Sequence, residues 1–116
     1  MHELSVCQSI LNQVGEIADQ QHASTVQKIF LSIGPLAGVN ADLLQTAFPL
    51  ARADTVAANA ELVIESMPII VACAECGAES EVTINNLVCR TCGDWNTRLI
   101  SGDEMILLRV ELRREH

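Results

Sequence analysis

The chain has 116 residues. That length suits one domain with a sizeable core, or a small domain carrying a metal-held appendage, and excludes a large multi-domain enzyme. Hydrophobic residues make up 49% of it and charged ones 19%, with only 3% aromatic, which argues against disorder and for an aliphatic core. Seven Lys and Arg against fifteen Asp and Glu leave a formal net charge of −8, a field that repels phosphate backbones and anionic headgroups, so neither nucleic acid nor a membrane is an expected partner.

No apolar run approaches the roughly 20 residues of a bilayer-spanning helix, and the start MHELSVCQSILNQ lacks the basic stretch of a signal peptide. The expected location is the cytoplasm. In that reducing setting five Cys point to metal rather than to disulfides, and an odd total leaves one thiol out of any pairing.

In chain order, Cys7, Ile10, Leu11, Val14, Ile17 and Ala18 recur at three- and four-residue steps and predict an amphipathic helix from Glu3 to near Gln21. The run from Val26 to Ile33 then alternates, placing Ile29, Leu31 and Ile33 on one face and Lys28, Phe30 and Ser32 on the other. It reads as a half-buried strand ending at Gly34-Pro35. Asn40 offers a side-chain cap and Asp42 a dipole-matching carboxylate for a second helix, whose stripe is Leu43, Leu44, Ala47 and Phe48 and which Pro49 is expected to kink or shorten. A second strand spans about Glu61 to Met67, and a last one, Glu104 to Arg113, sets Ile106, Leu108, Val110 and Leu112 against Arg109, Glu111 and Arg113.

Between the last two strands lies a stretch of different texture, with four of the five Cys and the only Trp. The expected fold is therefore α+β: a three-stranded sheet with two helices packed on it, plus an inserted zinc-ribbon-like tetracysteine lobe. Residues 1–68, completed by the strand in 103–116, form the first domain, and residues 69–102 form the second. Asn85-Asn86 and Ser101-Gly102 read as turns of the lobe.

Cys73-Ala-Glu-Cys76-Gly and Cys89-Arg-Thr-Cys92-Gly are two C-x-x-C-G knuckles separated by twelve residues. A two-residue gap lets both sulfurs of a pair turn toward one ion, and the following Gly allows the positive φ that brings backbone N–H groups to the thiolates. Softness of the ligands favours zinc, and four thiolates close its shell, so the predicted site is structural. It would order a segment with only Val82, Ile84, Leu87, Val88 and Trp95 to bury. Iron in the same cage would instead make a rubredoxin-like redox protein. The lobe sets Arg90 and Arg98 against Glu75, Glu79, Glu81 and Asp94, so any external contact it makes should be with protein.

At the start of the chain, the imidazole of His2, a neighbouring backbone nitrogen and the α-amine can reach one ion. Such a nitrogen-rich, potentially planar set suits Ni(II) or Cu(II). Any His at position two has these neighbours, so the spacing also fits a solvated terminus. Glu3 complements the helix dipole.

Taken together, MHELS, LSIGPLAGVN after the first strand, the paired C-x-x-C-G knuckles and the closing LLRVELRRE resemble the HypA family of hydrogenase nickel-incorporation proteins, over nearly the whole chain. The resemblance implies an accessory metallochaperone that is no enzyme. It would bind transferable Ni(II) through His2 with backbone donors at Met1, His2 and Glu3, and carry structural Zn(II) on Cys73, Cys76, Cys89 and Cys92, so that the first domain is the nickel-binding one and the second the zinc-binding one. It further implies a HypB-type GTPase as partner, the large subunit of a [NiFe]-hydrogenase as client, and a monomer or weak homodimer. Where some relatives have an acidic residue near the second helix, position 40 is Asn, which suits a helix cap. Where some carry His beside the cysteines, this chain has Gly77 and Gly93.

Cys7, on the apolar stripe of the first helix, is expected to pack as an inert thiol, and His22 to favour the dipole at that helix's end rather than to bind metal. No Ser-His-Asp order, phosphate-cradling Gly loop or paired-carboxylate signature can be assembled. Besides the nickel chaperone, two other readings remain: the rubredoxin-like iron protein and a zinc-ribbon protein-interaction adaptor in which the first residues merely start a helix.

Overall fold

In the computed structural model the described residues are 2–114, with His2 described through its backbone only; Met1, Glu115 and His116 lie outside them. The elements run α1 (His2–Gln20), β1 (Thr25–Ile33), α2 (Ala41–Ala51), β2 (Glu61–Ser66), β3 (Ile69–Cys73), β4 (Glu79–Val82), β5 (Thr97–Ser101) and β6 (Met105–Arg113). They form two three-stranded sheets, ordered β2-β1-β6 and β4-β3-β5. The chain divides into two compact units, one of Met1–Leu31, Val39–Glu65 and Ile106–His116, the other of Ser32–Gly38 and Ser66–Met105.

The first unit is held by aliphatic burial. The α1 stripe buries Cys7, Ile10, Leu11, Val14 and Ala18, as the periodicity predicts, and α1 packs against α2 with the Cys7 Sγ 3.6 Å from the Leu44 carbonyl oxygen, to which it can donate. Burial, and then the nearby Glu3 carboxylate, push the Cys7 thiol up from its ordinary value, so it stays neutral and packs as expected. A six-residue hydrogen-bond closure ends the helix. Ala23 N–H donates to the Ala18 carbonyl (2.8 Å) and His22 N–H to that of Asp19 (3.1 Å), while His22 takes φ 55°. That left-handed position after a helix is usually Gly. His22 therefore serves through its backbone conformation, a role its charge pattern does not reveal.

Asn40 caps α2 as predicted: its φ −84°, ψ 115° are extended and its side chain accepts from Leu43 N–H at 3.1 Å. Pro49 does not shorten the helix, which continues to Ala51. The ring removes one backbone donor in the last turn, where Arg52 N–H still closes onto the carbonyl of the buried Phe48 at 2.9 Å. Gln45 Nε2 ties α2 to β2 through the Leu62 carbonyl at 2.7 Å.

β1 is the central strand of its sheet, and so departs from the half-buried expectation: Ile29 and Leu31 are fully enclosed and Phe30, on the opposite face, is buried too. The Arg109 guanidinium lies 3.8 Å from the centre of the Phe30 ring. A cation stacked on an aromatic face covers it without needing a second apolar layer. β6, by contrast, is an edge strand, and its alternating apolar side chains are only partly covered, with Ile106 40% and Leu108 44% exposed.

The second unit contains three strands that the sequence reading leaves unassigned. β3 pairs antiparallel with β4 (Ile69 opposite Val82, Val71 opposite Ser80) and with β5 (Val71 opposite Leu99, Cys73 opposite Thr97), the latter with a register shift at Ile70/Val71. Their inward side is a small cluster of Ile69, Val71 and Val82, against which Leu36 and Leu99 pack. Residues 32–38 join this unit, although the sequence reading leaves them with the first domain. Gly34 N–H donates to Glu104 O (2.9 Å) and Leu36 N–H to Gly102 O (2.8 Å), and a Cβ on Gly34 would sit 2.1 Å from the Gly102 oxygen. Only glycine permits that approach.

Candidate metal centre

The two knuckles fold alike, residue for residue. In the first, Glu75 and Cys76 N–H donate to the Cys73 Sγ, each at 3.4 Å. In the second, Thr91 and Cys92 N–H donate to the Cys89 Sγ at 3.3 and 3.5 Å. Gly77 N–H closes on the Cys73 carbonyl at 3.0 Å and Gly93 N–H on that of Cys89 at 2.9 Å, and both glycines have φ +78°. That conformation, predicted from the C-x-x-C-G pattern, turns the chain so that its amides face sulfur.

The knuckles bring all four sulfurs together. Cys73 and Cys92 Sγ lie 3.5 Å apart, Cys76 and Cys89 Sγ 3.6 Å apart, and every pair falls within 4.8 Å. A tetrahedral ion with metal–sulfur bonds of about 2.3 Å requires sulfur–sulfur edges of about 3.8 Å, so the donor set fits one such ion. The electrostatics point the same way. The amides of Cys92 and Thr91 help hold the Cys89 thiol down to about 6. The Asp94 amide also pulls on Cys92, but the neighbouring sulfurs of Cys73, Cys76 and Cys89, with burial, push that thiol up to about 12. Four thiolates this close repel one another, and a divalent cation removes the conflict.

Support from behind the ligands comes from Ser80, buried in β4, whose Oγ accepts from Arg90 N–H at 3.1 Å and lies 4.0 Å from the Cys89 Sγ. The Arg90 side chain in turn donates through Nε to the Glu81 carbonyl at 2.9 Å. The sequence reading missed Ser80; its signal is the alternation Glu79-Ser80-Glu81-Val82, which puts the serine in phase with the buried valine. Three residues expected to be buried in the lobe are not. Trp95 is 82% exposed, Ile84 51% and Leu87 38%, because the sulfur cage and the Ile69–Val71–Val82 cluster together already fill so small an interior.

Of the residues predicted to bind nickel, Met1 lies outside the described residues and so does the side chain of His2, whose backbone opens α1. The Glu3 carboxylate accepts from Asn40 N–H at 3.3 Å, which ties the start of α1 to the start of α2. Asn40 spends its own side chain on the cap.

Residues 1–112 match the family described as "Hydrogenase/urease nickel incorporation, metallochaperone, hypA". The chain belongs to the HypA family. Its relatives include the hydrogenase maturation factor HypA of Nitrosospira multiformis, 46% identical over 112 residues and covering 97% of each chain. That of Aquifex aeolicus is 42% identical with the same coverage. Among solved structures, the nickel metallochaperone HypA of Helicobacter pylori superposes with a TM-score of 0.72 at 26% identity, over 97% of this chain and 98% of that one. A second HypA solution structure gives 0.76 at 27%, over 99% and 98%. No helix among the described residues is long and apolar enough to cross a membrane.

Proposed function

We propose that this chain is an accessory nickel chaperone without catalytic turnover, which takes up Ni(II) at its first residues and passes it on in the cytoplasm during maturation of a [NiFe]-hydrogenase. The observation that carries this reading is the family match, which runs from the first residue to residue 112 and so takes in both the opening MHE and the tetracysteine unit. His2 supplies the imidazole, and Met1, His2 and Glu3 supply backbone donors, a nitrogen-rich set suited to Ni(II). A HypB-type GTPase is the partner, and the hydrogenase large subunit the client.

Zn(II) is the ion assigned to Cys73, Cys76, Cys89 and Cys92, where it organises the fold. The division of labour follows from ligand exchange. An ion enclosed by four thiolates has no open side from which an incoming ligand can displace it, whereas an ion held by an imidazole and a few backbone donors keeps positions open to exchange. The retained ion belongs in the cage, and the transferable one at the start.

The test is Ni(II) titration of three proteins: the chain beginning at Met1, His2→Ala, and a version extended by two residues before Met1. Both changes are expected to weaken nickel binding by at least about 100-fold, while zinc content stays near one ion per chain. Unchanged nickel affinity in both variants would defeat the proposal.

A further inference from the structure

Trp95 is 82% exposed, more than any other large apolar side chain among the described residues, yet the backbone that carries it is pinned on both sides. Before it, the Asp94 carbonyl accepts from Cys89 N–H at 2.9 Å. After it, Asn96 N–H donates to Asp94 Oδ1 at 2.8 Å, and the Asn96 carbonyl accepts from Ala74 N–H at 2.9 Å. Thr97 N–H closes on the carbonyl of Trp95 itself at 2.9 Å. The indole is thus held out in water by a loop that both knuckles lock in place. A large aromatic side chain on a fixed backbone suits the anchoring of a partner, because little ordering remains to be done on binding.

The charges around the loop select the partner's chemistry. Asp94 immediately precedes the indole, and Glu75 follows Ala74, whose amide is bonded to Asn96. Cys76 and Cys92 are the exposed members of the sulfur cage, and four thiolates around one divalent ion leave about two negative charges there. The second unit as a whole has six carboxylates and two arginines, and one of these, Arg90, is turned to the Glu81 carbonyl. An anionic partner is repelled by such a face, and a purely apolar one would cover its charges without pairing them. A guanidinium answers both features: its plane stacks on an indole, and its N–H fork pairs with carboxylates.

We propose that the Trp95 loop is the docking point for an arginine-bearing segment of a partner protein, whose guanidinium stacks on the indole while Glu75, Asp94 and the thiolate cage attract it. Such docking needs a divalent ion in the cage and no nickel at the chain start, so its failure and that of the nickel reading are distinguishable.

The chain has one tryptophan and no tyrosine, so tryptophan emission reports this loop alone. The zinc-loaded full chain, without nickel, is titrated with an end-blocked peptide of alternating glycine and arginine. Its emission is expected to change saturably, with a dissociation constant on the order of 1 mM for so small a probe. The same peptide with citrulline keeps the planar side chain and loses the charge, and should bind at least about tenfold more weakly, with the lysine version in between. By calorimetry, Trp95→Ala should weaken binding of the arginine peptide about fivefold and Glu75→Gln about twofold, whereas Trp95→Phe keeps most of it, all with metal content and circular dichroism unaltered. The citrulline comparison uses the unaltered chain and so does not depend on any variant folding. Emission that stays unchanged up to about 10 mM arginine peptide would overturn the proposal. So would undiminished calorimetric affinity of Trp95→Ala, which would mean that arginine merely gathers on the negative surface at large. Equal binding of the citrulline peptide, or tighter binding of a leucine version, would overturn it too, in favour of an apolar partner.

Discussion

The two units solve the problem of small size by different physical means. The first encloses a long apolar list, from Cys7, Ile10 and Val14 on α1 to Ile29 and Leu31 on β1 and Leu44 and Phe48 on α2. Burial at this scale stabilises without further help. The second has only Ile69, Val71 and Val82 at its centre, with Leu36 and Leu99 packed around them, and leaves its one tryptophan in solvent. What it has instead is four sulfurs gathered by two matched knuckles. A unit that leaves its tryptophan out and gathers four sulfurs within 4.8 Å of one another has a donor set suited to one ion.

The sharpest way to break this comparison is to remove the ion. Chelation, or Cys73→Ser or Cys92→Ser, should take bound metal from about one per chain to none and abolish amide protection across β3, β4 and β5, while the circular dichroism of α1 and α2 survives; in peptide sites of this kind metal binding is itself most of the folding free energy. Persistence of protected β3 amides after metal loss would mean the small cluster suffices alone. The converse change is Leu44→Ala, in the middle of the first unit, where the side chain is fully buried. A loss of about 3 kcal/mol is expected from denaturant melts followed through the helices, with metal stoichiometry unaltered. A falling metal content would show that the units are not independent in stability.

His22→Gly sharpens the picture at the smallest scale. The residue holds φ 55° at the end of α1, a conformation that costs an L-residue but not glycine, so the substitution should raise stability by about 1 kcal/mol. A Tm that falls instead would show that the imidazole makes a contact worth more than the relief of strain.

Legibility in the sequence tracks how local each cause is. The helix stripes, the Asn40 cap, the buried Cys7, the Asn85-Asn86 turn closed by the Asn86 N–H bond to Thr83 O at 3.0 Å, and the glycine geometry of the knuckles all depend on neighbours a few residues away. All could be read in advance. The short strands of the second unit could not, because four or five residues such as Glu79–Val82 carry too little periodicity to separate from loop.

Sequence by itself determined the chemistry of the protein: four thiols at a spacing that suits one ion, an imidazole beside the first residue, and enough aliphatic stripes for one core. Those are properties of side-chain type and local period, and no fold can change them. Tertiary structure alone decided which strand is central and which lies at the edge. The same alternating pattern that is enclosed in β1 is left partly bare in β6, because pairing order depends on contacts between residues some eighty positions apart. It also decided that a glycine pressed against a backbone oxygen would draw residues 32–38 into the tetracysteine unit, a steric fact that exists only once the chain has folded.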